Sequence, residues 1–434
     1  MFAWLNAYPV STVLFLVVAF CLFQSWWFKK DFFSPLCIYC FTQCLTLAIS
    51  YIQIDKAMTD FHLFTWGVWL LGMLSFAGGC IVARLYAKSK GVSLQIHSPV
   101  CPSHYNWNYH LVFSFIVFGL FMVGIYGIVQ KVGNLVIFTD NPAKWMTKYV
   151  DYGYYALLFN SGPLCVLLFG VASFKKFNNV VWVRRTAFVM VFVTIILNLL
   201  AYLNRTSLFF NIGFFIIFFN YLHKRISAVV IASLLVFAVI VFVIIGSFRE
   251  QYGNDSIQGK ALSVIVELPY KYVANNYWNL DYVLNSPNDR EIHPHTYGID
   301  FFNGVFEYAK LSPAIRRSYG WDDVFNGRIV KVRGFNTVNY LWDVYKDFHL
   351  LGVALLPFLC GLALSVFYLR LCRPFTPRQI LLYTYFIYFI GWWFFTSGYK
   401  QGIYCIWGMV IYVVSTVCMQ SEKKCPDKRP ILPL

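Results

Sequence analysis

Apolar segments follow one another along most of this chain, each long enough to cross a bilayer. They lie near 8–28, 33–53, 63–86, 110–130, 154–173, 182–203, 206–222, 226–247, 348–370, 378–398 and 401–419. Segments of about 20 apolar residues cross as helices, so the expected fold is all-α, a polytopic integral membrane protein with about 11 transmembrane helices. Only 12% of the residues are charged, about half the share of a soluble globular chain. The runs on either side of Asn204 are separated by two or three residues and read as a helical hairpin or a broken helix. One polar stretch, 248–347, interrupts the pattern and carries most of the acidic side chains with a dense set of Arg. The organisation is therefore a bundle of about eight spans over 1–247, a large loop over 248–347, about three spans over 348–419, and a tail over 420–434.

Basic residues orient the bundle. One alternating set of connections holds Lys29 and Lys30; Arg84, Lys88 and Lys90; Lys175, Lys176, Arg184 and Arg185; Lys224 and Arg225; Arg370, Arg373 and Arg378. The tail adds Lys423, Lys424, Lys428 and Arg429, while the other connections hold far fewer. The positive-inside rule then puts the N-terminus and the large loop outside and the C-terminus in the cytoplasm. The first apolar run has no basic residue before it and no small-residue cleavage site after it, so it is expected to stay as a span. The net charge of +16 is read as topology anchors that favour membrane lipid headgroups, not as a nucleic-acid surface. None of the 12 Cys lies in the large loop, which excludes a disulfide framework there. Cys37, Cys40 and Cys44 share a helical spacing and read as small apolar residues; no metal site and no cofactor is expected.

Helical spacing over 257–284, rich in Tyr and Trp and interrupted by Pro269, predicts an amphipathic helix in the membrane interface. A second short helix is expected over 299–311. Arg316, Arg317, Arg328, Lys331 and Arg333 follow Pro313, and the closing segment 334–352 leads straight into the next span. Arg forks bind diphosphates bidentately, aromatic rings stack on sugars, and Asn, Asp and Glu match hydroxyls. With apolar spans beneath for a lipid tail, the loop suits a lipid-diphosphate-linked sugar handled on the outer face.

The segment Phe335-Asn336-Thr337, Tyr340, Tyr345-Lys346-Asp347-Phe348 and Leu351-Gly352 resembles the stretch before a late, glycine-containing span in Wzy-type oligosaccharide repeat-unit polymerases, the O-antigen polymerases of lipopolysaccharide biosynthesis. Asn204-Arg205-Thr206-Ser207 is similar to a short motif at the external end of a central helix in that family. His349 departs from the pattern, standing where many members carry Gly. The resemblance implies a multi-span fold like that of GT-C-type glycosyltransferases, in the inner membrane of a bacterium. It implies an enzyme that transfers a growing glycan from its lipid carrier onto a fresh repeat unit. The substrate would be an undecaprenyl-diphosphate-linked oligosaccharide, with a separate chain-length regulator protein as partner. Such enzymes need no metal, because protein cations receive the leaving diphosphate.

Candidate residues follow from that chemistry. Arg205 sits at the boundary between two apolar runs, where a charge is costly without a partner or substrate; the alternative is an Arg snorkelling from a helix end. Arg249, Arg333 and Lys400 are further candidates for diphosphate contacts, Arg249 against a pair with Glu250 or a lipid headgroup. Arg316 and Arg317 form a basic pair that guides an anionic donor, or a solvated face. Deprotonating the acceptor hydroxyl needs a carboxylate or His. Asp347 is favoured by the resemblance, against an ordinary cap at a helix start; His295 and His349 are the other candidates. Asn336, Tyr340 and Glu307 are assigned to shaping the site and holding substrate. An O-antigen ligase would use the same parts, but the loop lacks the Arg-x-Gly run with a following His that ligases carry. A lipid-linked oligosaccharide flippase or transporter would need charges inside many spans and internal repeats; here the span interiors hold Gln43, Asn160, Asn198 and Asn211 instead.

Overall fold

The computed structural model describes residues 8–27, 31–55, 60–92, 96, 105–139, 145, 153–202, 205–227, 229–234, 236–237, 240, 261–285, 296–298, 303–308, 337–398 and 401–419. Within these, the side chains of 25–27, 202, 205–206, 261–265, 268 and 306–308 are not described. The described residues form helices and no strand; one isolated bridge joins Tyr105 to Met419. The helices are α1 (Pro9–Trp27), α2 (Pro35–Ser50), α3 (Leu63–Ser89), α4 (Trp107–Val132), α5 (Tyr154–Phe159), α6 (Gly162–Ala172), α7 (Val181–Tyr202), α8 (Arg205–Leu222), α9 (Ala261–Asn285), α10 (Asn303–Tyr308), α11 (Tyr340–Leu371), α12 (Pro377–Gly391) and α13 (Gly402–Val417).

Among the described residues, five helical segments are long and apolar enough to cross a membrane: Leu63–Ser89, Trp107–Phe138, Tyr154–Ala172, Val181–Ala201 and Tyr340–Leu371. Pro9–Gln24, Pro35–Ser50, Ser207–Leu222 and Gly402–Val417 are apolar but shorter. Leu70, Leu74, Ile81 and Leu85 form an exposed apolar stripe along α3, as a lipid-facing helix requires. The molecule is a helical membrane protein. The expected span over 226–247 lies largely outside the described residues.

Local chemistry sets the helix limits. Asn106 opens α4 by accepting from Asn108 N and Tyr109 N, both at 3.1 Å, and Gly133 closes it in the left-handed region at φ 85°. Thr376 and Gln379 form a capping box at the start of α12, with Pro377 in its first turn. The run expected as one span over 154–173 breaks at Asn160 and Ser161. Pro163 causes it: the ring removes one N–H and crowds the carbonyl four residues earlier.

The most extensive packing among the described helices is between α3 and α11. Two glycines permit it. A Cβ on Gly79 would stand 2.1 Å from Phe358 O, and one on Gly361 would stand 2.3 Å from Phe76 O. Each helix thus offers a small residue to the other's backbone, as membrane helices do where packing rather than hydrophobicity holds them together. The helices α7 and α8 pack side by side, with Phe192 against Phe215 at 6.4 Å, so the pair around Asn204 is a hairpin.

Polar groups gather at the two ends of this bundle. At one end the connection after α1 places Asp31 in a buried position, where it accepts from Tyr221 (2.5 Å), Asn220 (3.2 Å) and the backbone of Phe33 (3.2 Å). At the other end α9 lies against α2, α3 and the first turns of α11.

Candidate functional site

The end of the bundle that carries α9 holds the densest polar packing, and α11 is its axis. Residues 337–340 enter the helix through backbone bonds to two neighbours: Asn339 N donates to Asn276 O (3.2 Å) and Tyr340 N to Trp393 O (3.1 Å). Asn339 then caps the helix by accepting from Leu341 N, and its amide donates to Gln43 Oε1; both bonds are 3.1 Å. Gln43 also meets the Tyr277 hydroxyl of α9 at 3.1 Å, which lies 2.8 Å from the Thr46 hydroxyl. Asn279 of α9 donates to Thr337 O at 2.8 Å. Buried side chains from α2, α9 and α11 therefore form one hydrogen-bonded layer. Burial makes each of these bonds costly to lose, so the layer holds its members in fixed positions.

Tyr340, Asp343 and Asp347 follow at spacings of three and four and share one face of α11. Tyr340 is fully buried; its ring stacks on Trp393 at 4.2 Å and its hydroxyl meets that of Tyr39 at 2.7 Å. Asp343 accepts from Ser397 and Asp347 from Thr296, both across from other segments. Lys346 is buried between the two carboxylates in sequence, and its carbonyl accepts from Thr296 N at 3.3 Å. Two acids and a base held out of water on two turns are expensive unless paired or used.

Immediately beyond, the helix bends. Phe348 (φ −134°, ψ 17°) and His349 (φ 54°, ψ −149°) leave the helical region, so α11 is a short helix to Asp347 followed by a longer one. Asp347 thus stands in the last turn of the short helix, not at the start of the span as a cap would. Chain approach at the bend is close: a Cβ on Gly352 would meet Val344 O at 2.6 Å. His349 is exposed, with its ring 5.9 Å from that of Tyr345.

A second carboxylate centre joins α9 to α3. Asp281 accepts from His62 N (3.0 Å), the Thr65 hydroxyl (2.6 Å) and Asn285 Nδ2 (3.2 Å), and meets His62 Nδ1 at 3.0 Å. It satisfies donors in the first turn of α3 and places a negative charge at that helix's positive end. The His62 side chain stays 65% exposed while its partner is buried.

The expected site residues divide three ways. Tyr340, Asp347 and His349 all lie on α11, the first two buried and His349 exposed at the bend. Arg205 opens α8 and Glu307 lies in α10, with side chains outside the described residues. Arg249, His295, Arg316, Arg317, Arg333, Asn336 and Lys400 lie outside the described residues altogether. Asp343, Lys346, Asp281, His62 and Thr296 belong to the polar end although sequence reasoning passed over them. The spacing of Tyr340, Asp343 and Asp347 on one helical face was the readable signal for Asp343; Asp281, His62 and Thr296 are joined only by tertiary contact. Among the described residues, no group of three or more His, Cys, Asp or Glu could hold a metal ion.

No protein-family model matches this chain, and no curated protein or solved structure matches it either. The end of the bundle that carries α9 holds the buried carboxylates of Asp281, Asp343 and Asp347, the hydroxyls of Tyr277 and Tyr340, and the exposed imidazoles of His62 and His349.

Proposed function

We propose that this protein is a glycosyltransferase of the membrane's outer face, joining repeat units of a lipid-diphosphate-linked oligosaccharide into a longer glycan. The observation that carries the reading is the gathering of Asp343, Lys346 and Asp347 on the buried face of α11, with Asp343 accepting from Ser397 and Asp347 from Thr296, at one end of the apolar bundle. A transfer site needs a base for the acceptor hydroxyl, cations for the leaving diphosphate, and an apolar flank for the lipid. The polar end supplies carboxylates and His349 for the first. Arg205 heads α8, and Arg249, Arg333 and Lys400 complete the cationic set in this proposal. Arg316, Arg317, Glu307 and Asn336 are assigned to the oligosaccharide. Eleven spans, the N-terminus outside and the tail in the cytoplasm belong to the same reading.

The test uses purified protein in liposomes, supplied with polyprenyl-diphosphate-linked repeat unit from the host. A ladder of longer saccharides is expected, it should persist with a chelator present, and Arg205→Ala should lower it by about 100-fold or more. Movement of the lipid-linked unit across the bilayer with no ladder would replace the enzyme with a transporter.

A further inference from the structure

One histidine of the polar end is held by a carboxylate and faces outward. Asp281 of α9 is fixed from several sides: it accepts from His62 N (3.0 Å), the Thr65 hydroxyl (2.6 Å) and Asn285 Nδ2 (3.2 Å), and its second oxygen meets His62 Nδ1 at 3.0 Å. A carboxylate oxygen can only accept, so the ring carries its proton on Nδ1 and its lone pair on Nε2. The helix start does not need this ring. Asp281 itself meets the His62 N–H and the Thr65 hydroxyl, and the His62 side chain makes no capping bond. The ring is 65% exposed although its partner is buried, and among the described residues it has no other hydrogen bond. A buried acid that fixes one ring nitrogen and leaves the other at the surface is the arrangement a general base requires.

The surroundings of the ring suit a lipid-linked substrate. The next residue, Leu63, is 88% exposed, and Leu70, Leu74, Ile81 and Leu85 continue from it down α3 at spacings of seven and four. That exposed stripe is about 33 Å long, close to the thickness of a hydrocarbon core. A lipid chain lying along it has its polar end at the level of His62. Phe64 meets Tyr345 with ring centres 5.9 Å apart, and Tyr345 meets His349 at the same distance, so the start of α3 stands beside the bend of α11. The carboxylates of α11 are less able to reach a substrate: Asp343 and Asp347 are buried, and each already accepts from a hydroxyl, of Ser397 and Thr296. The other titratable groups near the ring are Asp60, which accepts from Gln53 Nε2 at 3.0 Å, Tyr51, whose hydroxyl accepts from Phe61 N at 3.0 Å, and Tyr282, Tyr345 and His349. Lys271, paired with Asp55 and Glu267, lies about 15 Å from Asp281 along α9.

We infer that His62, held by Asp281, is the general base that takes the proton from the acceptor hydroxyl. The inference rests on the proposed glycan transfer and names the group that drives it. The acceptor oxygen bonds to the anomeric carbon as the bond from that carbon to the diphosphate oxygen breaks. The electron pair leaves with the diphosphate, and the hydroxyl proton passes to His62 Nε2. The ring becomes an imidazolium whose Nδ1–H still donates to Asp281, and it then releases the proton to water. Asp281 stays a carboxylate throughout. It is a positioning residue, which sets the tautomer of the ring and stabilises the charge that forms on it.

The test measures the initial rate of ladder formation against pH in liposomes supplied with the polyprenyl-diphosphate-linked repeat unit, and the melting temperature of each variant in detergent. His62→Gln should lower the rate by about 100-fold or more. Its melting temperature should stay nearly unchanged, because the ring caps nothing. The neutral ring is the base, so the wild-type rate should rise with pH across the range where imidazoles lose a proton, about 5–8, and the residual rate of His62→Gln should not. Asp281→Asn keeps an acceptor for the Thr65 hydroxyl but can turn an amide N–H toward Nδ1, which moves the ring proton to Nε2; the rate should fall by about tenfold or more. His62→Ala should regain part of its rate in added imidazole, which repair of a merely structural loss would not give. A wild-type rate in His62→Gln, or a loss that follows a falling melting temperature with no recovery in imidazole, would overturn the base and leave the ring a surface residue at a helix start. A wild-type protein that makes no ladder sinks the polymerase and the base together, whereas a ladder indifferent to His62 sinks the base alone.

Discussion

His349 holds a backbone conformation that a side chain makes costly. At φ 54° and ψ −149° it occupies a region that glycine enters freely and other residues enter at about 1–3 kcal/mol. His349→Gly should therefore raise stability by about 1–2 kcal/mol, seen as a higher melting temperature in detergent. A lower one would mean that the ring's contact with Tyr345 outweighs the backbone. A stabilised variant with a weaker ladder in the proposed transfer assay would assign the imidazole to that reaction. Asp31 carries a different cost. Burial pushes its carboxyl above the ordinary 3.8, more than Tyr221, the Phe33 backbone, Arg225 and Asn220 pull it down. The folded chain then retains a proton that the unfolded chain has released. The stability this contributes is complete below 3.8 and is lost as the pH rises through the folded value. Asparagine cannot ionise, so the melting temperature of Asp31→Asn should gain on that of the wild type as pH is raised above about 4. Parallel curves would mean that Asp31 titrates alike in both states.

At the scale of elements, the α3–α11 crossing depends on Gly79 and Gly361. Gly79→Val should force the helices apart and destabilise by about 1–3 kcal/mol, whereas Gly67→Val, with nothing within 4 Å of its Cβ position, should leave the melting temperature nearly unchanged. Equal effects would remove the crossing from the account. Apolar runs made most helices legible: α3, α4 and α7 stand within a few residues of the segments marked in the sequence, and a helix covers most of the stretch expected over 257–284 as α9, running on through Pro269 instead of being interrupted there. Two features were not legible. The break between α5 and α6 needs Pro163 to outweigh a continuous apolar run, and hydropathy does not register that. The short helix before the bend in α11 was read as loop closure, because Tyr340 to Asp347 is polar in composition although one of its faces is buried. The candidate site divides in the same way. Tyr340, Asp347 and His349 could be found from a local run of residues. Asp281 with His62 could not, since no local pattern joins positions so far apart in the chain.

For the molecule as a whole, the polar ends give it two different fastenings. Near Asp31 the bundle is closed by contacts among its own connections and helix ends. At the opposite end it is closed by α9 and the start of α11, segments that follow α8 in the chain. Tyr39 meets Tyr340 across 301 positions and His62 meets Asp281 across 219. The chain is made from its N-terminus, at about 5–20 residues per second, so α3 emerges roughly 10–45 s before the carboxylate that satisfies its first turn. For that interval the early helices stand in the bilayer with Gln43, Thr65 and the amides of the α3 N-terminus unanswered. The first helices are thus completed only by segments that follow at 276–347, so the early part of the fold is the last to be satisfied.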